Sequence, residues 1–319
     1  MFMDLRDIEY FAVIAEHGHL GRAAEALGLG QPALSISLRR LERAADAKLV
    51  KRTPKGVELT AVGSALLAHV RRLRLARDDL AREIADLAHA RAGDLRIGAS
   101  PANAETLLPQ VCSALFEQAP KVTLTVMVQD NDALLPALRK GELDFVVIHA
   151  RQPPPPEIEQ VPLRDDEFVV YCSVRHRLAK RRSLMLADLV EESWASTPAG
   201  AVSWLQRTFG ESGLPPPRLM LISDSVALRL RTVASSRLLG IASKQVVQPA
   251  ASQLGLVILP VIEPAWTRPI AVAYRKDAYL SPAAKHFIEI LKAAATTPSR
   301  EPPAPRRVPV RSARLLPAV

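Results

Sequence analysis

The sequence predicts a mainly α-helical N-terminal winged helix-turn-helix, then a long linker helix, then an α/β unit of two lobes around a cleft. Three observations carry this fold class. A Gly-Leu-Gly turn at residues 28–30 separates two short helical patterns, and a basic hairpin follows. Leucines recur every seven residues from Leu66 to Leu87. From Gly93 onward, apolar strand patterns alternate with amphipathic helix patterns.

Residues 4–16 read as the first helix. Leu5, Ile8, Phe11, Ala12 and Ala15 share one side, and Asp4 and Asp7 lie near its positive N-terminal end. The second helix runs from Leu20 to Leu27, with Ala23, Ala24 and Leu27 forming a small face that another helix can approach. Gly28 suits the position after it because it tolerates positive φ. Gly30 serves as N-cap of the third helix, Gln31 to Ala45, and Pro32 fits its first turn. Leu34, Leu38, Leu41 and Ala45 share its inner face. The opposite face carries Pro32, Ile36, Arg39 and Arg43, with Ser35 and Arg40 on its flanks. Leu49–Thr53 and Val57–Thr60 read as strands joined by Thr53-Pro54-Lys55-Gly56, a wing bearing Lys51, Arg52 and Lys55. Residues 39–55 hold seven Lys/Arg against two acids, whereas residues 1–60 as a whole are only +1. The charge is therefore concentrated where a phosphate backbone would be met.

This segment resembles the N-terminal winged helix-turn-helix of LysR-type transcriptional regulators. The carrying residues are Ala23-Ala24 and Leu27, Gln31-Pro32-Ala33-Leu34-Ser35, Leu41-Glu42, Leu49, Arg52, and Leu59-Thr60 with Gly63. Three positions depart from the family's pattern: Gly30 stands where Ser is usual, Ile36 where Arg is frequent, and Val50 where Phe is usual. The first two touch the reading surface, so base preference does not transfer from relatives. On this reading Gln31, Ser35 and Arg39 approach base edges or adjacent phosphates. Pro32 and Ile36 offer apolar surface, a thymine methyl being the natural partner of Ile36. Arg43, Lys51, Arg52 and Lys55 hold phosphates.

Thr60 is a good N-cap for a helix from Ala61 to about Ala90. Leu66, Leu73, Leu80 and Leu87 form a heptad seam, with Val70 and Ile84 at the alternating positions and Arg77 in the same seam. The seam is expected to dimerise, matching one reading helix to each half of a dyad-symmetric site. Arg77 is expected to pair with Asp78, Asp79 or Glu83.

The rest reads as strand Leu95–Ala99, helix Asn103–Ala119, strand Val122–Val128 buried on one face, helix Asp132–Lys140 and strand Phe145–Ala150. Four prolines at 153–156 form an extended turn. A second unit follows, with strands Ile158–Leu163 and Phe168–Val174, helix Ala201–Phe209, strand Leu219–Ile222, helix Ser225–Ser235, and strands Gly240–Ala242 and Leu256–Leu259. Strand Ile270–Tyr274 returns, and a last helix starts at Ser281-Pro282 and ends near Ala295. One unit inserted into another resembles the effector domain of LysR-type regulators and, more distantly, periplasmic solute-binding proteins; Gly141-Glu142-Leu143-Asp144 supports the former. The expected domains are 1–60 (DNA-binding), 61–92 (linker), 93–295 (effector-binding) and a disordered Pro/Arg tail, 296–319. Within the third, lobe I takes about 93–162 and 267–295, and lobe II about 163–266.

Ligands in α/β sheets bind beyond strand carboxyl ends, near helix N-termini. That places effector candidates at Ser100, Asn103, Gln129, Thr197 and Ser225, with Ser100 and Thr197 facing each other across the cleft and an organic anion as the fitting ligand. No nucleophile elbow, P-loop or dinucleotide fingerprint is present, so no enzyme and no cofactor is expected. The seven histidines show no metal spacing, and His17 and His19 read as a solvated turn. Asp165-Asp166-Glu167 reads as a solvated acidic run. Cys112 and Cys172 sit among apolar neighbours, as buried reduced thiols of a cytoplasmic protein. No apolar run of about eighteen residues exists, so no membrane partner is expected. The resemblance implies a transcriptional regulator that binds promoter DNA as a homodimer or homotetramer, responds to a small molecule, and has RNA polymerase as a further candidate partner. The alternative is a small-molecule binding protein whose DNA-binding module has decayed.

Overall fold

The computed structural model describes residues 3–54, 56–89, 93–198, 200–262 and 266–296. The predicted tail beyond Thr296, and Lys55 at the tip of the wing, lie outside these residues.

Three helices open the chain: α1 (Leu5–His17), α2 (Leu20–Ala26) and α3 (Gln31–Ala45). The hairpin β1 (Val50–Thr53) and β2 (Gly56–Leu59) follows, paired antiparallel. Asp4 caps α1 by accepting from the Arg6 N–H at 2.8 Å. His19 caps α2, its Nδ1 accepting from the Gly21 N–H at 3.0 Å. His19 is exposed in the bend between α1 and α2, as a solvated turn residue is expected to be, and its ring in addition satisfies a helix N–H. Phe11, Ile14, Ala23, Leu34 and Leu49 are fully buried among these elements. Gly63 is required by close packing, since a Cβ there would lie 2.0 Å from the Leu49 carbonyl oxygen.

The long helix α4 (Ala61–His89) divides into two stretches. Leu67 and Val70 are buried beneath the helix-turn-helix. Farther on, Leu73, Leu80, Ile84 and Leu87 are exposed. The opposite side of that stretch is clamped to the α/β part. Asp79 accepts from Arg275 at 3.1 Å, Arg82 bridges Asp79 and Asp144, and the Tyr279 hydroxyl donates to Asp86 at 3.1 Å.

The α/β part begins with β3 (Asp94–Ala99), α5 (Pro101–Thr106), α6 (Leu108–Gln118), β4 (Thr123–Val128), α7 (Asn131–Arg139) and β5 (Phe145–His149). Strand β3 lies between β4 and β5, parallel to both. The single helix expected over Asn103–Ala119 is two helices, broken at Leu107. Pro109 in the first turn of α6 has no N–H to continue the ladder, which explains the break. Strand β4 was expected to bury one face, but it is the edge of the sheet and leaves Val126, Met127 and Val128 exposed.

Next come β6 (Ile158–Ser173), β7 (Ser193–Ser196), α8 (Gly200–Glu211), β8 (Arg218–Ile222), α9 (Val226–Ala234), β9 (Leu239–Ser243), α10 (Lys244–Leu254) and β10 (Leu256–Ile258). The chain returns through β11 (Thr267–Arg275) and ends its described part in α11 (Pro282–Thr296). The strand order is β4-β3-β5-β11-β6-β9-β7-β8, with β10 paired to β6. The two strands expected at 158–163 and 168–174 are one continuous strand. Residues 158–167 of β6 pair with β11, and residues 168–171 pair with β9. This strand therefore joins the two lobes and passes from one sheet to the other at Asp166–Phe168. Separate cores confirm the division, one around Phe145 and Phe287 and one around Trp194 and Phe209. Neither β7 nor α10 was anticipated from the sequence.

Candidate functional site

Two surfaces concentrate chemistry. On α3, Gln31, Pro32, Ile36, Arg39 and Arg43 are exposed and Ser35 is half-buried. Gln31, Pro32, Ser35 and Arg39 line one shallow groove with Arg52 of the wing. The Arg39 Nε donates to the Ser35 carbonyl at 3.2 Å, which holds the guanidinium along the helix face. Lys51 and Arg52 are exposed on β1. None of Arg39, Arg43, Lys51 and Arg52 joins an ion pair among the described residues. Their cations are thus available to an outside anion.

The remaining charges near α3 are spent on placing it. Asp7 of α1 is buried and accepts from Ser37 Oγ at 2.6 Å and from both Nε and Nη2 of Arg40. The Arg40 hydrogen bonds, with help from Ser37 and against the effect of burial, hold the Asp7 carboxyl below its ordinary value. Glu42, also buried, accepts from the Leu49 N–H at 3.1 Å and from Lys48 Nζ at 2.7 Å. Those bonds tie the end of α3 to the start of the wing.

The second surface is a cavity of about 230 Å³ between the lobes. Ser100 and Thr197 both line it, from the ends of β3 and β7, together with His149, Phe168, Arg229 and Arg268. Ser100 is buried at the start of α5, yet its hydroxyl makes no cap bond and has no partner among the described residues. The other three sequence candidates are elsewhere. Asn103 is buried and donates to the Val147 carbonyl at 3.4 Å, a structural role. Gln129 is exposed outside the cavity, its backbone N–H bonded to Ala99. Ser225 caps α9 through its hydroxyl, which accepts from the Leu228 N–H at 3.2 Å. Helix capping wins at Ser225 because a side chain one residue before a helix reaches its own first turn most easily.

The two arginines were missed. Arg229 is only 3 % exposed; its Nη1 donates to the Ser223 carbonyl while its Nε has no partner among the described residues. Burial pulls its guanidinium below the ordinary value, against Tyr171, Asp224 and Glu105. Its signal was present in the sequence, since it shares a helix face with Val226, Leu230 and Val233. Arg268 lies 5.7 Å from the Phe168 ring centroid and joins no ion pair among the described residues. Burial lowers its pKa as well, with Asp166 opposing. The acidic run is corrected too. Asp165 and Glu167 are exposed, but Asp166 is 2 % exposed and bonded to Ser243 and His149.

The heptad seam separates into two parts. Val70, at 1 % exposed, belongs to the core of its own helix-turn-helix, and Leu66 packs against that core. The expectation that these two face a partner is corrected. Leu73, Leu80, Ile84 and Leu87 remain as an exposed apolar stripe. Arg77 pairs with Asp78 at 2.9 Å in its own helix. Both cysteines are free. Among the described residues there is no group of three potential metal ligands, and no helix is long and apolar enough to cross a membrane.

Comparison with known proteins gives two family matches. The model described as a bacterial regulatory helix-turn-helix protein of the lysR family matches residues 5–64, and the LysR substrate binding domain matches residues 88–296. The chain is 29 % identical over 304 residues to the HTH-type transcriptional regulator GbpR of Azospirillum brasilense, covering 93 % of this chain and 88 % of that protein. It is 28 % identical over 294 residues to the hydrogen peroxide-inducible genes activator of Escherichia coli O6:H1, covering 91 % and 95 %. In fold it is similar to full-length CbnR complexed with its target DNA, with a TM-score of 0.59, 21 % identity, and coverage of 92 % and 100 %.

Proposed function

The chain belongs to the LysR family of transcriptional regulators, and from that premise we propose how it divides its work between two surfaces. The groove lined by α3 and the wing reads promoter DNA. Gln31, Ser35 and Arg39 reach base edges, Pro32 and Ile36 offer apolar contact, and Arg43, Lys51, Arg52 and Lys55 hold phosphates. The exposed stripe Leu73, Leu80, Ile84 and Leu87 meets a second copy of the chain, so that two reading helices address a dyad-symmetric site. The cavity between the lobes takes a small anionic effector at Ser100, Thr197, Arg229 and Arg268. The protein works in the cytoplasm as a homodimer or homotetramer beside RNA polymerase, and it is not an enzyme.

The observation that carries this reading is the row of exposed cations without ion-pair partners among the described residues, Arg39, Arg43, Lys51 and Arg52, beside a recognition helix whose other charges are fixed internally. A decayed DNA-binding module would not be expected to keep that division. The observation behind an anionic effector is the pair of guanidinium groups, Arg229 and Arg268, that line the cavity and join no ion pair among the described residues, although Asp130, Asp132 and Asp224 line it as well. The peroxide response named for the E. coli relative is not carried over, because Cys112 and Cys172 pack in the cores of different lobes.

The test is binding of the pure protein to its own upstream intergenic DNA across a salt series, against scrambled DNA of equal length. Sequence-selective binding that weakens steeply with salt supports the reading. Equal and weak binding to both DNAs overturns it in favour of a small-molecule binding protein.

A further inference from the structure

Asp166 stands on β6 where that strand leaves one sheet for the other, directly across from Arg268 on β11. It is buried and does not line the cavity itself. Its two oxygens are divided between the lobes. Oδ2 lies 3.0 Å from Nε2 of His149, the last residue of β5 in the first lobe. Oδ1 accepts from Oγ of Ser243 at 2.5 Å, the last residue of β9 in the second lobe. One carboxylate on the crossing strand therefore holds a group from each side, and both of those groups line the cavity.

Ser243 occupies a second position at the same time. It is the N-cap residue of α10, yet its side chain makes no cap bond to that helix. A serine there ordinarily accepts from a helix N–H. Here the hydroxyl is given to Asp166 instead, and the first N–H groups of α10 are left without that partner. Ser243 thus ties the second lobe to the crossing strand through its single hydroxyl proton, which only one acceptor can hold at a time. His149 adds a second contact across the crossing, its ring 5.3 Å from that of Phe168 on β6.

We propose that Asp166 is a positioning residue through which the contents of the cavity set the angle between the lobes. With the cavity empty, it holds His149 and Ser243 in the bridged arrangement. A ligand oxyanion that accepts the Ser243 hydroxyl proton, or a ligand group that bonds His149 Nε2, competes with Asp166 for those atoms and releases the bridge. Such a shift needs a ligand that interacts differently with the two arrangements, and these contacts supply that difference. The proposal rests on the cavity being the effector site.

The experiment compares full-length Asp166→Ala, Asp166→Asn and Ser243→Ala with wild type, and uses Asp165→Ala, an exposed neighbour on the same strand, as control. No ligand is added. Spin labels at Glu117→Cys and Glu211→Cys, one on each lobe, report the inter-lobe distance in labelled protein diluted with unlabelled. Footprinting on the upstream intergenic DNA reports the docking pattern. Asp166→Ala and Ser243→Ala are expected to shift both the distance and the footprint while affinity stays within about twofold, because the side chains that touch DNA are themselves unchanged. Asp166→Asn should fall between them and wild type, since its amide oxygen still accepts the Ser243 hydroxyl; a purely structural role gives no such graded rescue of the footprint. Wild-type distances and footprints in cooperatively melting Asp166→Ala and Ser243→Ala overturn the proposal. Should Asp166→Ala fail to fold, Ser243→Ala decides alone, because it removes one hydroxyl and leaves the carboxylate on His149. Should wild type itself show no selective DNA binding, the functional reading fails, and the inter-lobe distance still decides the role of Asp166.

Discussion

Asp7 of α1 holds Arg40 of α3 by two hydrogen bonds while also accepting from Ser37, three residues earlier on the same helix. One buried carboxylate thus fixes both the rotation and the tilt of the recognition helix, from the side opposite its exposed face. Arg40, on the flank of the exposed face beside Arg39, is thus committed to the fold.

Asp7→Ala is expected to lower both stability and DNA affinity. The buried Ser37–Asp7 bond alone contributes about 1.5 kcal/mol, and the Arg40 share is smaller because that guanidinium is largely in water and screened. The Asp7 pKa is lowered in the folded state, so its contribution is complete above the ordinary value of about 3.9 and is lost as pH falls through the lower folded value. Urea unfolding of wild type and Asp7→Ala should therefore differ at pH 6 and converge toward pH 3. A gap unchanged down to pH 3 contradicts this account.

Arg39→Ala and Arg52→Ala should fail differently. Arg39 lies along the groove beside Gln31 and Ser35, and its loss is expected to cost about 1–3 kcal/mol on the target site and to relax specificity at one base pair. Arg52 sits on the wing, and its loss should weaken all sequences alike and flatten the salt slope by about one unit. Anisotropy titrations on target and scrambled DNA at several salt concentrations separate the two. Identical losses on both DNAs for Arg39→Ala would place it on phosphates.

Most of the architecture was legible because periodicity reports burial, and burial shapes these elements. Helix α3 has the predicted bounds, Gln31–Ala45, and a proline, a glycine turn and a four-three leucine repeat all act in the same direction there. The helix at 103–119 was misread because its apolar spacing runs through Pro109 without a change of phase. The cavity was less legible. Ser100 and Thr197 follow from the rule that ligands sit at strand ends, but Asn103 and Ser225 obey the same rule and are consumed by local bonds. Asp166 could not be found from a single run, because its partners are 17 and 77 residues away.

Position along α4 should decide what an acidic substitution does. Val70→Asp buries a carboxylate without a partner in the helix-turn-helix core and is expected to cost about 4 kcal/mol, unfolding that domain. Leu80→Asp and Leu87→Asp fall on the exposed stripe, where the monomer fold is indifferent but a second copy would be repelled. Light scattering after size exclusion should show a smaller species for these two with an unchanged circular dichroism spectrum. An unchanged oligomer would remove the stripe from the interface.

Arg229→Gln and Arg268→Gln test the cavity with simple probes. A thermal-shift panel of small mono- and dicarboxylates should give hits in wild type, and either substitution should weaken a hit by about thirtyfold or more, as expected when one partner of a desolvated charge pair is removed. Neutral analogues of a hit should not bind. Hits that are indifferent to both substitutions would locate anion binding elsewhere on this cationic protein.

Peroxide should leave the two thiols unchanged. Burial, reinforced by the Glu192 carboxylate, pushes the Cys172 thiol up to about 12, and burial raises that of Cys112 as well. At pH 7 almost none of Cys172 is then the thiolate, the form that reacts with peroxide. Cys112 packs beside Val111 and Leu115 in the first lobe, and Cys172 packs beside Trp194 in the second, so the two cannot meet without opening both cores. Native protein treated with hydrogen peroxide should keep both thiols unoxidised and keep its DNA affinity, and Cys172 should react with a thiol reagent only after unfolding. Rapid formation of a disulfide between Cys112 and Cys172, with a matching change in DNA binding, would show that the lobes exchange partners on a scale this fold does not provide.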